Sequence, residues 1–324
     1  MVEKIETIDI SSVKIADSKR LDVIHQIMNS SRTIGFFCLK GTNIPLSLIE
    51  QMHSIMPKIF DCDDSFKAKQ AITKENYRGY IPMSQFNANG TNQVSDVYEG
   101  YKLHYEVSES DPITRTCDLY GPNHWPEHCP DVSNIILDYW QHLDDLTNTL
   151  LGLLEDGLGL ERGSMTEPMI SPLTNMTLLH YPKRPLSENP SGIHAHKDTD
   201  IITIIAPDPV GGLEVQTPEG EWITPNCPEG GVIVNIGDML EVWSGGRLVS
   251  TPHRVVNNSG HERYSFPYFA VPRHDVVIRP LVKAIEGFER PAVHCGHWSR
   301  EIWRTNWPDE RPKVDTPELG TIFD

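Results

Sequence analysis

The sequence is short of positive charge. Its 324 residues include 28 lysines and arginines against 45 aspartates and glutamates, which gives a formal net charge of −17 at pH 7. No run of basic residues concentrates the positive charge that is present. Nucleic acids and anionic membranes are therefore poor candidate partners.

The sequence also lacks a continuous apolar stretch long enough to span a membrane. Its first twenty residues have no apolar run between a basic start and a small-residue cleavage site. The six cysteines are scattered without a Cys-x-x-Cys pair, which favours free thiols over a disulfide framework. We expect a globular cytoplasmic protein that is a monomer or a weak homo-oligomer.

The N-terminal part of the chain has a mixed α/β pattern. Residues 5–10 alternate, residues 21–27 have helical spacing, residues 34–39 form an apolar strand pattern and residues 47–60 are again helical. The pattern weakens from residue 61 to 130, which is typical of loops and short elements. The sequence leaves open whether residues 82–93 form a lid.

The remaining chain has one long helix and many short strands. Apolar residues at helical spacing predict an amphipathic helix over residues 131–159 that packs on a sheet. From residue 172, short β-type runs separated by turns predict a sandwich or barrel. We divide the chain into an N-terminal α/β region (1–130), a long helix and connection (131–171), a β core (172–290) and a C-terminal helix and tail (291–324).

The segment from residue 191 to 200 carries potential metal ligands at alternate positions: His194, His196, Asp198 and Asp200. On a strand, such positions share one face. The spacing allows either a His-x-His or a His-x-Asp pair, and His253 is the best candidate for a distant third ligand. Two histidines and one carboxylate are typical of non-haem Fe(II) oxygenases, whereas zinc prefers a closed tetrahedral set or a site with its own general base.

A second pattern suits a carboxylate. Arg263 and Ser265 share one strand face, and a guanidinium with a neighbouring hydroxyl can bind a carboxylate. The phenol of Tyr181, on an upstream strand, can complete this anchor. Together with a metal, the three residues suit a dicarboxylate that is held at both ends.

Several motifs together resemble the 2-oxoglutarate/Fe(II)-dependent dioxygenase superfamily, in its isopenicillin N synthase-like branch. In the C-terminal half these are His196-x-Asp198, Thr203, Gly211-Gly212-Leu213, Asn235-x-x-Asp238, Ser250-x-x-His253 and Arg263-x-Ser265. In the N-terminal half they are Gly35-Phe36-Phe37, Tyr77-x-x-Tyr80 and Asn123-x-Trp125-Pro126. The resemblance extends from about residue 5 to about residue 307 and is specific because the motifs occur in order.

The resemblance implies a mainly β fold with flanking helices, in which a double-stranded β-helix (distorted jelly-roll) core follows an N-terminal α/β segment. It implies His196, Asp198 and His253 as iron ligands, with His194 and Asp200 around them. It also implies that Arg263, Ser265 and Tyr181 bind the cosubstrate. The family often has Asn two residues before that tyrosine, where this chain has Leu179.

The implied cofactors are Fe(II), 2-oxoglutarate and O₂, with ascorbate as a possible reductant. The implied reaction couples decarboxylation of 2-oxoglutarate to succinate and CO₂ with hydroxylation, or a related oxidation, of a small organic metabolite. By family placement, one set of residues would line the pocket for this partly apolar substrate: Tyr80, Phe86, Tyr101, Thr177, Leu179, Ile193, His194 and Phe269.

Three alternatives remain open at this point. An isopenicillin N synthase-like or ascorbate-dependent iron oxidase would use Arg263 for its main substrate instead of 2-oxoglutarate. A non-catalytic barrel would bind a small carboxylate, and a zinc hydrolase would need a general base. We expect His294 and His297, and also Asp96 and Glu99, to have structural roles.

Overall fold

A computed structural model describes residues 4–13, 17–73, 75–85, 96–184, 191–257 and 259–306. Phe86, most of the candidate lid (residues 86–93) and the predicted polar tail lie outside the described residues.

The structure describes six α-helices in these residues. They are α1 (Asp17–Thr33), α2 (Leu46–Phe60), α3 (Asp64–Lys69), α4 (Val132–Leu158), α5 (Asp238–Trp243) and α6 (Cys295–Asn306). Short 3₁₀ helices cover Pro112–Arg115 and Glu167–Met169. None of the described helices combines the length and apolar character needed to cross a membrane.

The strands are concentrated in the second half of the chain. They are β1 (Thr7–Asp9), β2 (Phe36–Lys40), β3 (Gly79–Ile81), β4 (Glu99–His104), β5 (Asn175–Tyr181), β6 (Ser191–His196), β7 (Ile202–Ile205), β8 (Leu213–Gln216), β9 (Trp222–Ile223), β10 (Val232–Ile236), β11 (His253–Val256), β12 (Arg263–Ser265), β13 (Tyr268–Ala270), β14 (Val277–Ile278) and β15 (Val293–His294).

Two main sheets form the β core. The larger sheet has the order β1-β2-β10-β7-β13-β5-β4-β3, with β12 also paired to β5, and the smaller has the order β6-β11-β8-β9. All of these neighbours are antiparallel except β1 and β2. The architecture is the predicted jelly-roll with flanking helices.

The two faces of the larger sheet have different roles. Leu178 of β5 belongs to the main hydrophobic core, together with Leu143 and Leu150 of α4. The next residue, Leu179, belongs to a separate cluster with Tyr181 and with Val255 of the smaller sheet. Successive side chains of a strand point to opposite faces of the sheet, so Leu178 and Leu179 lie on different faces. We call the face that packs against α4 the outer face, and the face towards the smaller sheet the inner face.

Helix α4 confirms the amphipathic pattern. It packs against α1, α2 and β13. Its buried stripe includes Ile136, Tyr139, Leu143 and Leu150, each at most 1% exposed. Burial of each such side chain contributes about 1.5–3 kcal/mol, so this stripe fixes the helix to the outer face.

Candidate active site

Two antiparallel strands bring His196 and His253 together. His196 ends β6 and His253 begins β11, and the two residues are direct partners in the register. Asp198 follows β6 by two residues, and its Oδ1 lies 3.7 Å from His196 Nε2 and 3.6 Å from His253 Nε2. All three ligand atoms lie within 4.8 Å of one another. This spacing lets one metal ion contact all three residues.

Backbone carbonyls orient both imidazoles. His196 Nδ1 lies 2.8 Å from the carbonyl oxygen of His194, and His253 Nδ1 lies 3.3 Å from that of Thr251. A carbonyl only accepts, so each Nδ1 carries the proton. Each Nε2 lone pair is then directed towards Asp198 and is available to a metal.

The carboxylate of Asp198 is held from its other oxygen. Oδ2 accepts hydrogen bonds from Thr203 Oγ1 at 2.6 Å and from Asn235 Nδ2 at 2.8 Å. Thr203 of β7 and Asn235 of β10 are register partners. Oδ1 therefore remains available for a metal.

The charge states suit metal binding. Burial lowers the pKa of His253 to about 4, which keeps its imidazole neutral. Burial opposes ionisation of Asp198, but the nearby His253 and His196 and its hydrogen bonds outweigh that effect and lower its pKa. A carboxylate beside two imidazoles whose Nε2 atoms face it is the donor set that Fe(II) takes in non-haem oxygenases.

His194 and Asp200 lie outside this group of three. His194 donates from its backbone N–H and from Nδ1 to Asp96 Oδ1, over 2.9 Å and 2.6 Å. Asp200 shares the Thr203 hydroxyl at 2.9 Å, and burial and the charge of Asp198 raise its pKa well above the usual value. Of the two pairs that local spacing allowed, the geometry selects His196 and Asp198.

The inner face also carries the predicted carboxylate anchor. Arg263 is paired with Tyr181, and Ser265 with Leu179. The Arg263 guanidinium lies 4.7 Å from the centroid of the Tyr181 ring, and its Nε donates to the carbonyl of Gly211 over 2.5 Å. The residue is 2% exposed, yet its Nη1 has no hydrogen-bond partner among the described residues. This buried donor fits a carboxylate.

The structure divides the predicted pocket residues. Thr177, Leu179 and Phe269 share the inner face, because Phe269 is paired with Asn175 and the positions differ by even numbers along β5. Ile193 packs against the inner cluster of Leu179, Tyr181 and Val255.

Tyr80 and Tyr101 require a correction. They are paired with each other, and Tyr101 is paired with Leu178, which places both on the outer face. The Tyr101 hydroxyl contacts Gln70 and the carbonyl of His124, while that of Tyr80 contacts Glu99. The expectation that they line the pocket is therefore wrong, since they are turned away from Arg263.

Lys102 was not among the residues predicted from the sequence. This residue belongs to β4 and is paired with Thr177, so it lies on the inner face. Its Nζ donates to Asn175 Oδ1 over 2.6 Å and to Thr177 Oγ1 over 2.9 Å. Apolar residues Tyr101 and Leu103 alternate with Gly100, Lys102 and His104, and this alternation is the signal that could have predicted the strand.

Other candidate residues have structural positions. On the outer face, Glu99 accepts from Tyr80, Lys67 and His180. The rings of His294 and His297 are 4.7 Å apart. Within the described ranges, however, the triad of His196, Asp198 and His253 is the only group of three residues that could hold a metal ion. All six cysteines are free thiols.

Comparisons with known proteins identify the class. Residues 173–272 match the 2OG-Fe(II) oxygenase superfamily, and residues 5–128 match the N-terminal region of the non-haem dioxygenases in morphine synthesis. The chain belongs to the 2OG-Fe(II) oxygenase superfamily. It is an Fe(II)/2-oxoglutarate-dependent dioxygenase, whose expected cofactors are Fe(II), 2-oxoglutarate and O₂.

Particular relatives cover most of the chain. The 2-oxoglutarate-Fe(II) type oxidoreductase hxnY of Emericella nidulans is 31% identical over 286 residues, which are 83% of this chain and 79% of the relative. The 2-oxoglutarate-dependent dioxygenase thnC of Trichoderma harzianum is 32% identical over 77% of this chain and 78% of its own length. The structure of Neurospora crassa T7H with alpha-KG and thymine has a TM-score of 0.79, with 23% identity, over 94% of this chain and 97% of that chain. This last likeness concerns the fold.

Proposed function

We propose that His196, Asp198 and His253 bind the catalytic Fe(II), and that Arg263, with Ser265 and Tyr181, binds the distal carboxylate of 2-oxoglutarate. The enzyme then hydroxylates, or similarly oxidises, a small organic metabolite. Thr177, Leu179, Ile193, His194 and Phe269 contribute to the substrate pocket.

The unpaired donor of Arg263 is the observation that carries this proposal. A buried N–H without an acceptor is costly by about 1–3 kcal/mol, so a side chain kept in this state indicates a ligand that supplies the acceptor. A carboxylate matches the guanidinium in charge and shape. Arg263 and the residues that support the triad lie on the same inner face. One dicarboxylate can therefore be bound by Arg263 at one end and by the metal at the other.

The protein residues have separate tasks in this reaction. Iron, when bound, supplies the redox chemistry that links decarboxylation of 2-oxoglutarate to substrate oxidation. His196, Asp198 and His253 would hold the ion with one donor atom each. Thr203 and Asn235 hold Asp198, and the carbonyls of His194 and Thr251 hold the imidazoles, so the ligands are oriented before the metal binds.

An anaerobic titration tests the proposal. Metal-free protein is titrated first with Fe(II) and then with 2-oxoglutarate, while the weak visible charge-transfer band of the chelate is recorded. We expect the band in the wild type. Arg263→Lys should weaken 2-oxoglutarate binding about tenfold or more with little change in iron binding, because an ammonium does not reproduce the guanidinium fork.

Arg273→Lys is the matched control, since Arg273 makes an exposed ion pair with Asp275. It should titrate as the wild type does. Iron binding without a band, or a normal band in Arg263→Lys, would contradict the assignment of Arg263 to 2-oxoglutarate. The first result would favour an iron oxidase that uses Arg263 for its main substrate.

We also propose that the enzyme acts in the cytoplasm as a monomer or weak homo-oligomer. The free state of Cys38, Cys117 and the four other cysteines supports a reducing compartment. Size-exclusion chromatography with light scattering tests the oligomeric state, and a stable dimer at micromolar concentration would refute it.

A further inference from the structure

Lys102 places a second cation on the inner face. Its Nζ lies 5.4 Å from the centroid of the Phe269 ring, between Asn175 and Thr177. Both oxygens that it contacts belong to neutral side chains. The ammonium is therefore hydrogen-bonded without being neutralised.

No carboxylate pairs with this ammonium in the described part of the chain. Lys67 shows the usual pairing of a lysine with a carboxylate: on the outer face, its Nζ lies 2.8 Å from Glu99 Oε2. Burial lowers the pKa of Lys102 to about 7, so its ammonium form needs a neighbouring negative charge to predominate; Asp200 attracts the ammonium but forms no ion pair with it. A cation without an ion-pair partner at this partly buried position is costly, which points to an anion that arrives from outside.

The ammonium also has an unused donor. Lysine has three N–H groups, and the contacts with Asn175 and Thr177 use two of them. The described residues offer no third acceptor to Nζ. A ligand oxygen can take this position without displacing a protein contact.

The register connects Lys102 to the triad. Phe269 is paired on one side with Asn175 and on the other with Thr203, whose hydroxyl holds Asp198. Neighbouring strands are about 4.8 Å apart, so the Phe269 ring lies between the ammonium of Lys102 and the residues that support the iron ligand. A molecule on Phe269 can contact Lys102 and still face the triad.

Lys102 is separate from the anchor for 2-oxoglutarate. Arg263 is paired with Tyr181, whereas Lys102 is paired with Thr177, four residues away on β5. These positions are about 13 Å apart along the strand. The Arg263 guanidinium packs against the Tyr181 ring, whereas the Lys102 ammonium contacts Asn175, which lies further from Tyr181 along β5 than Thr177 does. The two cations suit two different carboxylates.

We propose that Lys102 is a specificity-determining residue that binds a carboxylate of the main substrate, with the apolar part of that substrate against Phe269. The substrate class is accordingly a small organic acid. This inference rests on the proposed function, because it assumes that the inner face is the site of oxidation.

The experiment compares acids with their neutral amides as probes. Phenylacetate and hexanoate are tested against phenylacetamide and hexanamide, with wild type, Lys102→Met, Lys102→Arg and the exposed control Lys40→Met. Binding is measured anaerobically as the change that each probe causes in the Fe(II)–2-oxoglutarate band, and in parallel by calorimetry. We expect the wild type to bind at least one acid about tenfold or more tightly than its amide, because the amide still accepts a hydrogen bond but lacks the negative charge that pairs with the ammonium.

Lys102→Met should abolish this preference while 2-oxoglutarate affinity stays within twofold of the wild type, and Lys102→Arg should retain part of it. Lys40→Met should behave as the wild type. No preference for acids in the wild type, or an undiminished preference in Lys102→Met, would overturn the inference. Absence of the band before any probe is added would instead refute the proposed function, and calorimetry would still test the acid preference.

Discussion

Thr203 and Asp198 form a 2.6 Å hydrogen bond that leaves the other carboxylate oxygen, Oδ1, next to both histidines. The hydroxyl acts on the proposed iron site without touching the metal. Asn235 holds the same Oδ2 at 2.8 Å, so the carboxylate has two supports. The orientation of Asp198 is consequently fixed by two strands of the larger sheet, β7 and β10.

Thr203→Val should weaken Fe(II) binding about tenfold, since loss of a hydrogen bond to a metal ligand typically reduces affinity by 10–100-fold and Asn235 remains. The measurement is anaerobic competition for Fe(II) with a chromophoric chelator. Thr203→Ser, which keeps the hydroxyl, should restore most of the affinity. Thr149→Val removes a hydroxyl that bonds only to a helix carbonyl and should leave iron binding unchanged. Equal affinities in Thr203→Val and the wild type would show that Asn235 alone holds Asp198.

The carboxylate of Glu99 should stabilise the fold near neutral pH and lose this effect as the pH falls. Burial opposes its ionisation, but hydrogen bonds from His180, Lys67 and Tyr80 outweigh that effect and lower its pKa from 4.5 to about 2. A lowered carboxyl pKa stabilises the fold above the unfolded value, and this contribution is lost as pH falls towards the folded value. Glu99→Gln should therefore reduce the free energy of unfolding by roughly 3 kcal/mol at pH 6 and by about half as much at pH 3.

Urea unfolding of both proteins between pH 3 and pH 6 measures this difference. Glu50→Gln, at an exposed position on α2, serves as the control and should give a difference near zero throughout. A constant deficit for Glu99→Gln across this range would mean that the lost contacts matter but the pKa shift does not.

Adjacent leucines on β5 test the two faces of the sheet. Leu178 is fully buried in the main core, so Leu178→Ala should lower the free energy of unfolding by about 2–5 kcal/mol and leave 2-oxoglutarate affinity unchanged. Leu179 packs beside Tyr181 and opposite Ser265, so Leu179→Ala should weaken 2-oxoglutarate binding severalfold with a smaller loss of stability. Unfolding curves and anaerobic titration of both variants decide this. The reverse pattern would invert the assignment of inner and outer faces.

Sequence periodicity predicted the regular parts of this fold well. The amphipathic pattern over residues 131–159 corresponds to α4 (Val132–Leu158), and the β-type runs after residue 172 correspond to strands such as β10 (Val232–Ile236). Such elements bury a continuous stripe or a whole short run, so their own sequences carry the signal. Local spacing left a His-x-His and a His-x-Asp pair open, and the resemblance to the superfamily selected His196, Asp198 and His253.

The region from residue 61 to 130 was harder to predict for a physical reason. Strand β4 (Glu99–His104) depends on pairing with β5, more than seventy residues later, and polar Lys102 and His104 weaken its apolar pattern. The error over Tyr101 has the same origin. A shift of one residue along a strand reverses the face, so family placement put Tyr101 in the pocket where the register puts Lys102.

A pair of glycines tests how closely the helices fit the β core. Gly35, between α1 and β2, and Gly159, after α4, have φ of 66° and 70°. A Cβ at Gly35 would lie 2.1 Å from the carbonyl oxygen of Val249, whereas one at Gly159 would meet nothing within 4 Å. Gly159→Ala should therefore cost only about 1 kcal/mol, the strain of a left-handed residue with a side chain.

Gly35→Ala should lower the free energy of unfolding by at least 3 kcal/mol more than Gly159→Ala does, or prevent folding. The left-handed strain is the same, but the new Cβ also clashes with the backbone carbonyl of Val249. Urea unfolding measures both variants, and soluble expression yield gives a second readout if Gly35→Ala does not fold. Gly35 packs where β2 enters the larger sheet, so its variant should also weaken the proposed iron site through β10, which pairs with β2 and carries Asn235. Similar costs for the two variants would mean that Val249 moves aside and that this junction is not tightly packed.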